Sequence, residues 1–575
     1  MSLPPPRTYG KVEFQSVERL WALTCEPHAM IRLKAVFPRV NKAEMGVVHL
    51  KDSPKTCSEI LWFMAMFPLS MSPADKRRLV RGRKRDRATM VAARQTITGE
   101  LVPRLFQLGL TPRAYQAVGT ELLLRRKALL VTDEMGLGKT LLAIAAFTQK
   151  ESLPALVVVK VGLIPQWGRE LQRCLPGIRV HVIPGTQVGP LPPADVYLTS
   201  YTRLAAWAET LAPLVNSVVF DEAHELRHRD TAKYSGAQFV ARSVESRGGF
   251  RGALTGTPVY NLGNEMFSIL DLLEEGCLGD YEEFAREWCE SWGRNDRVRD
   301  SKALGAYLLD QGLMLRRTRQ DVQIELPPRT RLIETIETDT AALLKDDSSA
   351  IELAKIILTS PSFTLKGQAA REFDIRLRQA TGIAKAPAVA AFARLLLEST
   401  SESIIIAAWH REVYDVLQRH LHEFKPVLFT GSETAAQKEA SLTAFKKGES
   451  RVLFMSLRSV EGLDGLQSVC ATVIHAELDY SPMVHEQTIT RVDRPGQTRP
   501  TLEVFLLSAE GSDPTVARIN GVKREQSEGI LNPTGQATTS VVSDAARVKS
   551  LARDFLKQRG VAVQEPDDEL FSQAV

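Results

Sequence analysis

Residues 127–147 read Lys127-Ala128-Leu129-Leu130-Val131-Thr132-Asp133-Glu134-Met135-Gly136-Leu137-Gly138-Lys139-Thr140-Leu141-Leu142-Ala143-Ile144-Ala145-Ala146-Phe147. The apolar run up to Val131 predicts a short buried strand, and the run from Leu141 predicts a helix that starts where the loop ends. Between them, Gly136 and Gly138 let the backbone curl until successive N–H groups and the helix N-terminus face one concavity, where a polyphosphate can sit. Lys139 would reach the β- and γ-phosphates, and the Thr140 hydroxyl would ligate Mg²⁺. Asp133, Glu134, Met135, Gly136, Leu137, Gly138, Lys139 and Thr140 therefore form the candidate nucleotide cradle. Its spacing departs from G-x-x-x-x-G-K-[ST] at one place, where Asp133 replaces the first glycine.

Upstream, Leu110-Thr111-Pro112-Arg113-Ala114-Tyr115-Gln116-Ala117-Val118-Gly119 places a glutamine where it can reach the base of a nucleotide in the cradle. The Gln116 amide offers a donor and an acceptor, matching the edge of adenine and not of guanine; alone it would be an ordinary helix-surface residue. Downstream, residues 155–160, 196–200 and 217–220 are further buried strands separated by helical stretches. That alternation predicts a parallel, doubly wound α/β sheet whose ligands bind beyond the carboxyl ends of its strands. Asp221 and Glu222 of Asp221-Glu222-Ala223-His224 emerge at that edge. One acid can hold Mg²⁺ while its neighbour orients or deprotonates the attacking water. Thr255 and Thr257, in Ala253-Leu254-Thr255-Gly256-Thr257-Pro258, would sense the γ-phosphate.

The second half repeats the architecture. Residues 404–409, 427–429 and 451–455 are strands, and 410–424 and 434–445 are helices. No phosphate loop appears there, so this lobe completes the site on the first. The stretch Ser481-Pro482-Met483-Val484-His485-Glu486-Gln487-Thr488-Ile489-Thr490-Arg491-Val492-Asp493-Arg494-Pro495-Gly496-Gln497 reads as one helix, with Ser481 at its N-cap and Pro495-Gly496 at its end. Gln487, Arg491 and Arg494 would then share a face. Guanidinium groups so placed can neutralise charge developing on a γ-phosphate, although the same spacing also suits a surface salt-bridge face.

The remaining features bound the answer. A chain of 575 residues exceeds a single core. Its 44% hydrophobic and 25% charged content is that of a globular protein. No apolar run approaches the roughly 18 residues a membrane span needs, and the N-terminus does not read as a signal peptide, so a cytoplasmic location is expected, or a nuclear one in a eukaryote. Cys25, Cys57, Cys174, Cys277, Cys289 and Cys470 form no C-x-x-C pair, and the expectation is reduced, mostly buried thiols. Within residues 1–97, residues 30–36, 46–50 and 58–66 indicate two strands and a helix. Lys76, Arg77, Arg78, Arg81, Arg83, Lys84, Arg85 and Arg87 then crowd together, either as a solvated linker face or as an arm that tracks phosphates, with Arg83, Lys84 and Arg85 at its centre.

Taken together, Tyr115-Gln116, residues 133–140, 221–224 and 254–258 resemble the first motor lobe of helicase superfamily two, and Asp-Glu-Met-Gly-Leu-Gly-Lys-Thr resembles its Snf-type, chromatin-remodeller-like branch. Gln166-Trp167 with Glu170 is similar to a turn with which that family contacts a nucleic-acid backbone. Met314-Leu315-Arg316-Arg317-Thr318-Arg319-Gln320-Asp321-Val322 is similar to its hinge entry, in the form of the annealing-helicase-like branch. The last stretch resembles Q-x-x-x-R-x-x-R-x-G-Q, with Asp493 where histidine is common. The likeness covers residues 101–507.

It implies that Lys139 and Thr140 bind ATP and Mg²⁺, Asp221 coordinates Mg²⁺, Glu222 activates water, Gln116 reads adenine, Gln487 joins the nucleotide site, and Arg491 and Arg494 are arginine fingers. Gln166, Trp167, Ser200 and Ser456 are the implied DNA contacts. Residues 456–467 depart from the family, with Val460 and Glu461 where glycines are usual. The expected order is an accessory module with a basic linker (1–97), a first RecA-like lobe with a helical insertion after about 260 (98–333), a second with a helical protrusion over 340–399 (334–520), and a helical tail (521–575). The implied activity is ATP-dependent translocation on duplex DNA that remodels forks, annealed strands or bound proteins. The alternatives are a strand-separating DNA or RNA helicase and a non-catalytic, ATP-gated DNA clamp or complex subunit.

Overall fold

The computed structural model describes residues 7–37, 40, 45–97, 100, 102–256, 265–290, 298–323, 326–338, 347–359, 362–457, 463, 465–518 and 520. The chain divides into two compact units between Thr318 and Arg319.

The first unit opens with β1 (Gly10–Gln15), β2 (Leu20–Cys25), α1 (Pro27–Val36), β3 (Val47–Lys51), α2 (Pro54–Met66) and α3 (Pro73–Ile97). The strands form an antiparallel sheet in the order β1-β2-β3. Val12, Trp21, Leu23, Leu33, Val48, Ile60, Phe63 and Leu79 make its core. The strand expected over 30–36 is instead part of α1. Ala29, Met30, Leu33 and Phe37 are buried at helical spacing, whereas Ile31, which two-residue alternation would treat differently, is 68% exposed. The basic run is helical too: it lies on α3, whose Leu79 faces the core. A Cβ on Gly82 would lie 2.4 Å from the Cys57 sulfur, so α3 and α2 approach closely there.

The same unit continues through α4 (Ala114–Arg126), β4 (Ala128–Val131), α5 (Lys139–Ala146), β5 (Ala155–Val159), α6 (Ile164–Cys174), β6 (Val180–Val182), β7 (Val196–Ser200), α7 (Tyr201–Leu211), β8 (Ser217–Asp221), α8 (Ala232–Ser246), β9 (Arg251–Leu254), α9 (Glu265–Leu273), α10 (Tyr281–Trp288), α11 (Ser301–Asp310) and β10 (Met314–Leu315). The strands pair in parallel in the order β10-β4-β9-β8-β5-β7-β6. Alternate residues of a strand feed opposite faces. Leu130, Leu156, Val158 and Phe220 pack with α7, α8 and α9, while Leu129, Val131, Val157 and Val219 pack with α4, α5 and α6. Strands buried on both sides must be apolar throughout, which is why β4 and β5 are unbroken apolar runs.

The second unit holds β11 (Arg329–Ile336), α12 (Asp347–Thr359), α13 (Phe363–Ser399), β12 (Ser403–Ala408), α14 (Arg411–His420), β13 (Val427–Phe429), α15 (Ala435–Lys446), β14 (Val452–Ser456), β15 (Cys470–His475), α16 (Pro482–Ile489) and β16 (Thr501–Ser508). Its strands are also parallel, in the order β11-β16-β15-β12-β14-β13. The lobe boundary expected at 333 falls inside β11, which belongs to this sheet because Arg329–Ile336 pairs along its whole length with β16. The segment expected to be a protrusion is only partly one. Ala354, Ile357 and Leu358 of α12 pack with Ala369, Phe373 and Leu377 of α13. Further along α13, Ala386, Val389, Ala390, Ala393 and Leu397 cover the sheet. Against expectation, Leu365–Ser399 is long and apolar enough to cross a membrane, but half of that window is buried in the unit's own packing. The tail over 521–575 lies outside the described residues.

Candidate ATP site

The phosphate loop is held from the side by the segment that follows β10. Thr132 N–H donates to the Leu315 carbonyl at 2.8 Å, Glu134 N–H to the Arg317 carbonyl at 2.8 Å, and the Arg316 guanidinium to the Thr132 carbonyl at 2.6 Å. Gly136 and Gly138 have φ of 89° and 74°, in the left-handed region that L side chains resist. A Cβ on Gly138 would also sit 2.4 Å from the Gln116 amide nitrogen.

Asp133, at the departure from the usual spacing, is 1% exposed and accepts a fork of hydrogen bonds from Arg317, Nε donating to Oδ1 at 3.0 Å and a second nitrogen to Oδ2. Arg317 donates its remaining nitrogen to the Tyr115 carbonyl and stacks 5.2 Å from the Tyr115 ring centroid. Asp133 thus braces the loop from behind. Sequence reasoning missed Arg317 in this role; the available signal was an acid inside an apolar strand-loop junction, since a buried carboxylate demands a cation.

Lys139 donates to the Asp133 carbonyl at 2.8 Å and reaches the Glu134 carbonyl at 3.5 Å. Burial lowers its pKa, while the charges of Asp133, Glu222 and Asp221 act the other way. These are loop carbonyls that phosphate oxygens would replace. A Cβ on Gly256 would lie 2.9 Å from Met135 and 3.6 Å from the Lys139 nitrogen, so the end of β9 presses on the loop. Gln116, 5% exposed, accepts from Arg113 N–H at 2.9 Å and donates to the Leu137 carbonyl at 3.0 Å. The adenine contact expected of it competes with these backbone bonds.

At the end of β8, Asp221 and Glu222 sit side by side. Trp167 Nε1 donates to Asp221 Oδ2 at 2.6 Å, and Glu222 N–H donates to Asp221 Oδ1 at 3.0 Å. Burial, with the Glu222 charge added, pushes the Asp221 carboxyl above the usual range. Burial alone would raise Glu222 as well, but His224, Lys160 and Lys139 outweigh it and hold it below. His224 Nδ1 lies 3.3 Å from Glu222 Oε2 and 3.4 Å from the buried Thr255 hydroxyl. Glu222 has φ of 52°, a sparsely populated conformation for a side-chain-bearing residue and one that concentrates at functional sites. Two crowded acids, one with its charged form disfavoured, fit a divalent cation, and Asp221 with Thr140 would hold it.

Several expected contacts are placed differently. Trp167 is 1% exposed and bound to Asp221, so it supports the acid pair and offers no surface to a nucleic-acid backbone. Ser200 is 1% exposed, its hydroxyl 3.0 Å from that of Thr202, and Ser456 is 7% exposed; both are buried strand ends. Gln166 is half-buried. Thr257 and residues 458–462 and 464 lie outside the described residues.

In the second unit the single helix expected over 481–495 ends at Ile489, and Arg491 and Arg494 lie on the turns beyond it. The β-branched run Thr488-Ile489-Thr490 is a weak helix former, and Arg319 holds the next turn by donating to the Asp493 carboxylate and to its carbonyl, both at 2.9 Å. Arg491 and Arg494 still converge, reaching the Leu463 carbonyl at 3.5 and 3.3 Å. Gln487 stays half-buried on α16. Asp493, where the resemblance anticipated histidine, is 3% exposed. Behind this turn Glu503 pairs with Arg329 at 2.6 Å and Arg331 at 2.7 Å, and both arginines also reach Glu486.

The family model of the SNF2-related domain matches residues 40–343, and that of the helicase conserved C-terminal domain matches 387–496. The chain is 28% identical over 454 residues to the DNA annealing helicase and endonuclease ZRANB3 of Bos taurus, covering 75% of this chain and 40% of that protein. It is 26% identical over 411 residues to the SWI/SNF-related matrix-associated actin-dependent regulator of chromatin subfamily A-like protein 1 of Drosophila melanogaster, covering 69% and 53%. The chain thus spans about half the length of these relatives or less. The solved Sulfolobus solfataricus SWI2/SNF2 ATPase core in complex with dsDNA aligns over 80% of this chain and 98% of that one, at 20% identity and a TM-score of 0.37.

Proposed function

Because the chain belongs to the SNF2-related family, whose domain model spans more than half of it, we propose that it is a DNA-dependent ATPase that moves along duplex DNA and remodels forks, annealed strands or bound proteins. The observation that carries this reading is the meeting of Lys139, Asp221, Glu222 and Thr255 at the carboxyl edge of one parallel sheet, with Lys139 feeling the charge of both acids. Lys139 and the loop N–H groups bind the phosphates of ATP. Thr140 and Asp221 would hold Mg²⁺, which would supply neutralisation of phosphate charge. Glu222, kept anionic, takes the proton of the attacking water, and His224 orients it. Arg491 and Arg494 stabilise charge on the γ-phosphoryl group as it passes from ADP, the leaving group, to water. Gln116 and Gln487 complete the nucleotide site.

DNA is the proposed partner, and the exposed cations of α3, including Lys84 and Arg85, with the half-buried Arg83, add a phosphate-tracking surface. ATP turnover measured side by side with duplex, single-stranded and forked DNA and with RNA tests the reading. Stimulation by duplex or forked DNA above the others is expected. Preference for RNA or for single strands would favour a strand-separating helicase, and no hydrolysis with retained ATP binding would favour a gated clamp.

A further inference from the structure

Two arginines separated only by Thr318 hold the two halves of the catalytic machinery. Arg317, 12% exposed, grips Asp133 of the phosphate loop, 1% exposed, through a forked pair. Its carbonyl also accepts from the Glu134 N–H at 2.8 Å, and the Arg316 guanidinium donates to the Thr132 carbonyl. Arg319, 13% exposed, grips Asp493, 5% exposed, through both carboxylate and carbonyl, inside the turn that carries Arg491 and Arg494. Each pair lies within its own unit, and the boundary between the units falls between Thr318 and Arg319. Neither pair is a surface ornament: the first is a fork on a carboxylate and the second joins a carboxylate to its own backbone carbonyl, and nearly buried arginine–carboxylate pairs fix orientation and are costly to break.

We propose that residues 317–319 form a strap that couples the phosphate loop to the arginine turn, with Arg317 and Arg319 as positioning residues and Asp133 and Asp493 as their anchors. The strap rests on the motor reading above. Two peptide units span at most ~7 Å, so a shift of either anchored segment beyond that reach has to pull the other or break a pair. DNA engagement that moves the second unit would thereby be felt at the loop that holds ATP. The strap also joins Asp133, which stands where the general phosphate loop has its first glycine, to Asp493, which stands where the family commonly has histidine, since both are anchors.

The test slackens the strap without touching either anchor. Insertion of two glycines between Thr318 and Arg319 should leave KM for ATP and turnover without DNA within about twofold of the unaltered chain, and lower the DNA-stimulated kcat by about tenfold or more. Stimulation within twofold of the unaltered chain would overturn the strap. Should the insertion lower Tm, the charge exchange decides: Arg319→Asp alone and Asp493→Arg alone should lose stimulation, and the double exchange should regain it. A double variant no better than the singles would overturn the pairing. If the unaltered chain itself shows no DNA stimulation, the motor reading falls and the strap with it; stimulation that survives the insertion removes the strap alone.

Discussion

Lys139 shows how a residue expected in one role is found on other partners. Its motif spelled out a phosphate contact, yet in the structure it bonds carbonyls of its own loop, 2.8 Å from that of Asp133. Those acceptors hold the amine where the phosphate oxygens of the proposed nucleotide would compete for it. Lys139→Ala should therefore lower ATP turnover by at least about 10²-fold, because no other cation lies in the loop to neutralise phosphate charge; turnover near the unaltered rate would remove the assignment. Glu222→Gln should keep ATP binding and block hydrolysis, which nucleotide titration and turnover measured on the same sample would separate. Trp167→Phe removes the hydrogen bond to Asp221 and should cost roughly tenfold in turnover while leaving DNA affinity unchanged. A loss of DNA affinity instead would return Trp167 to the nucleic-acid contact expected from resemblance. The lysine and the acids were legible because neighbouring residues carry their pattern. The Asp133–Arg317 pair was not, because its partners lie 184 residues apart and periodicity has no reach over that distance.

At the scale of elements, strands buried on both faces were the easiest to read, since β4, β5 and residues 404–408 of β12 are short unbroken apolar runs. Of the edge strands of the two parallel sheets among the described residues, β13 was read and three were not. β6, β10 and β11 are short or half-exposed, and their pairing is decided by partners elsewhere in the chain. α1 was mistaken because seven residues of mixed polarity fit a strand as well as two helical turns. α16 was read too long because Arg319 holds the turn after it. Convergence of Arg491 and Arg494 on one carbonyl survives that shortening, so Arg491→Ala or Arg494→Ala should lower kcat by about 10³-fold with much smaller change in ATP affinity. For α3, replacing Arg83, Lys84 and Arg85 by alanine should flatten the slope of log affinity against log salt by about two to three units at most on duplex DNA. An unchanged slope would leave the helix face merely solvated.

For the molecule as a whole, two parallel sheets were legible and their seam was not. The expected limit lay inside β11, whose membership is fixed only by pairing with β16. That pairing is secured by charge. Against burial, which alone would raise it, His475 and the guanidiniums of Arg329 and Arg331 hold the Glu503 carboxyl well below the ordinary carboxylate range. A depressed folded-state value gives stability that is present above the unfolded value, about 4.3, and lost as pH falls through the folded one. Glu503→Gln should destabilise the second unit at neutral pH by ~1–3 kcal/mol, because it removes a buried carboxylate from two half-buried arginines that keep Glu486 as a partner, and should flatten the loss of stability below about pH 4.5. Chemical unfolding at a series of pH values measures both. The same strand imposes a schedule on synthesis. Among the described residues β11 is an edge strand whose only neighbour in the sheet is β16, and Arg329 must wait for Thr501. At about 5–20 residues per second the ribosome needs roughly ten to thirty seconds to make what lies between. The nascent second lobe passes that interval with an unpaired edge, while the first lobe, complete once β10 has emerged, can already be folded.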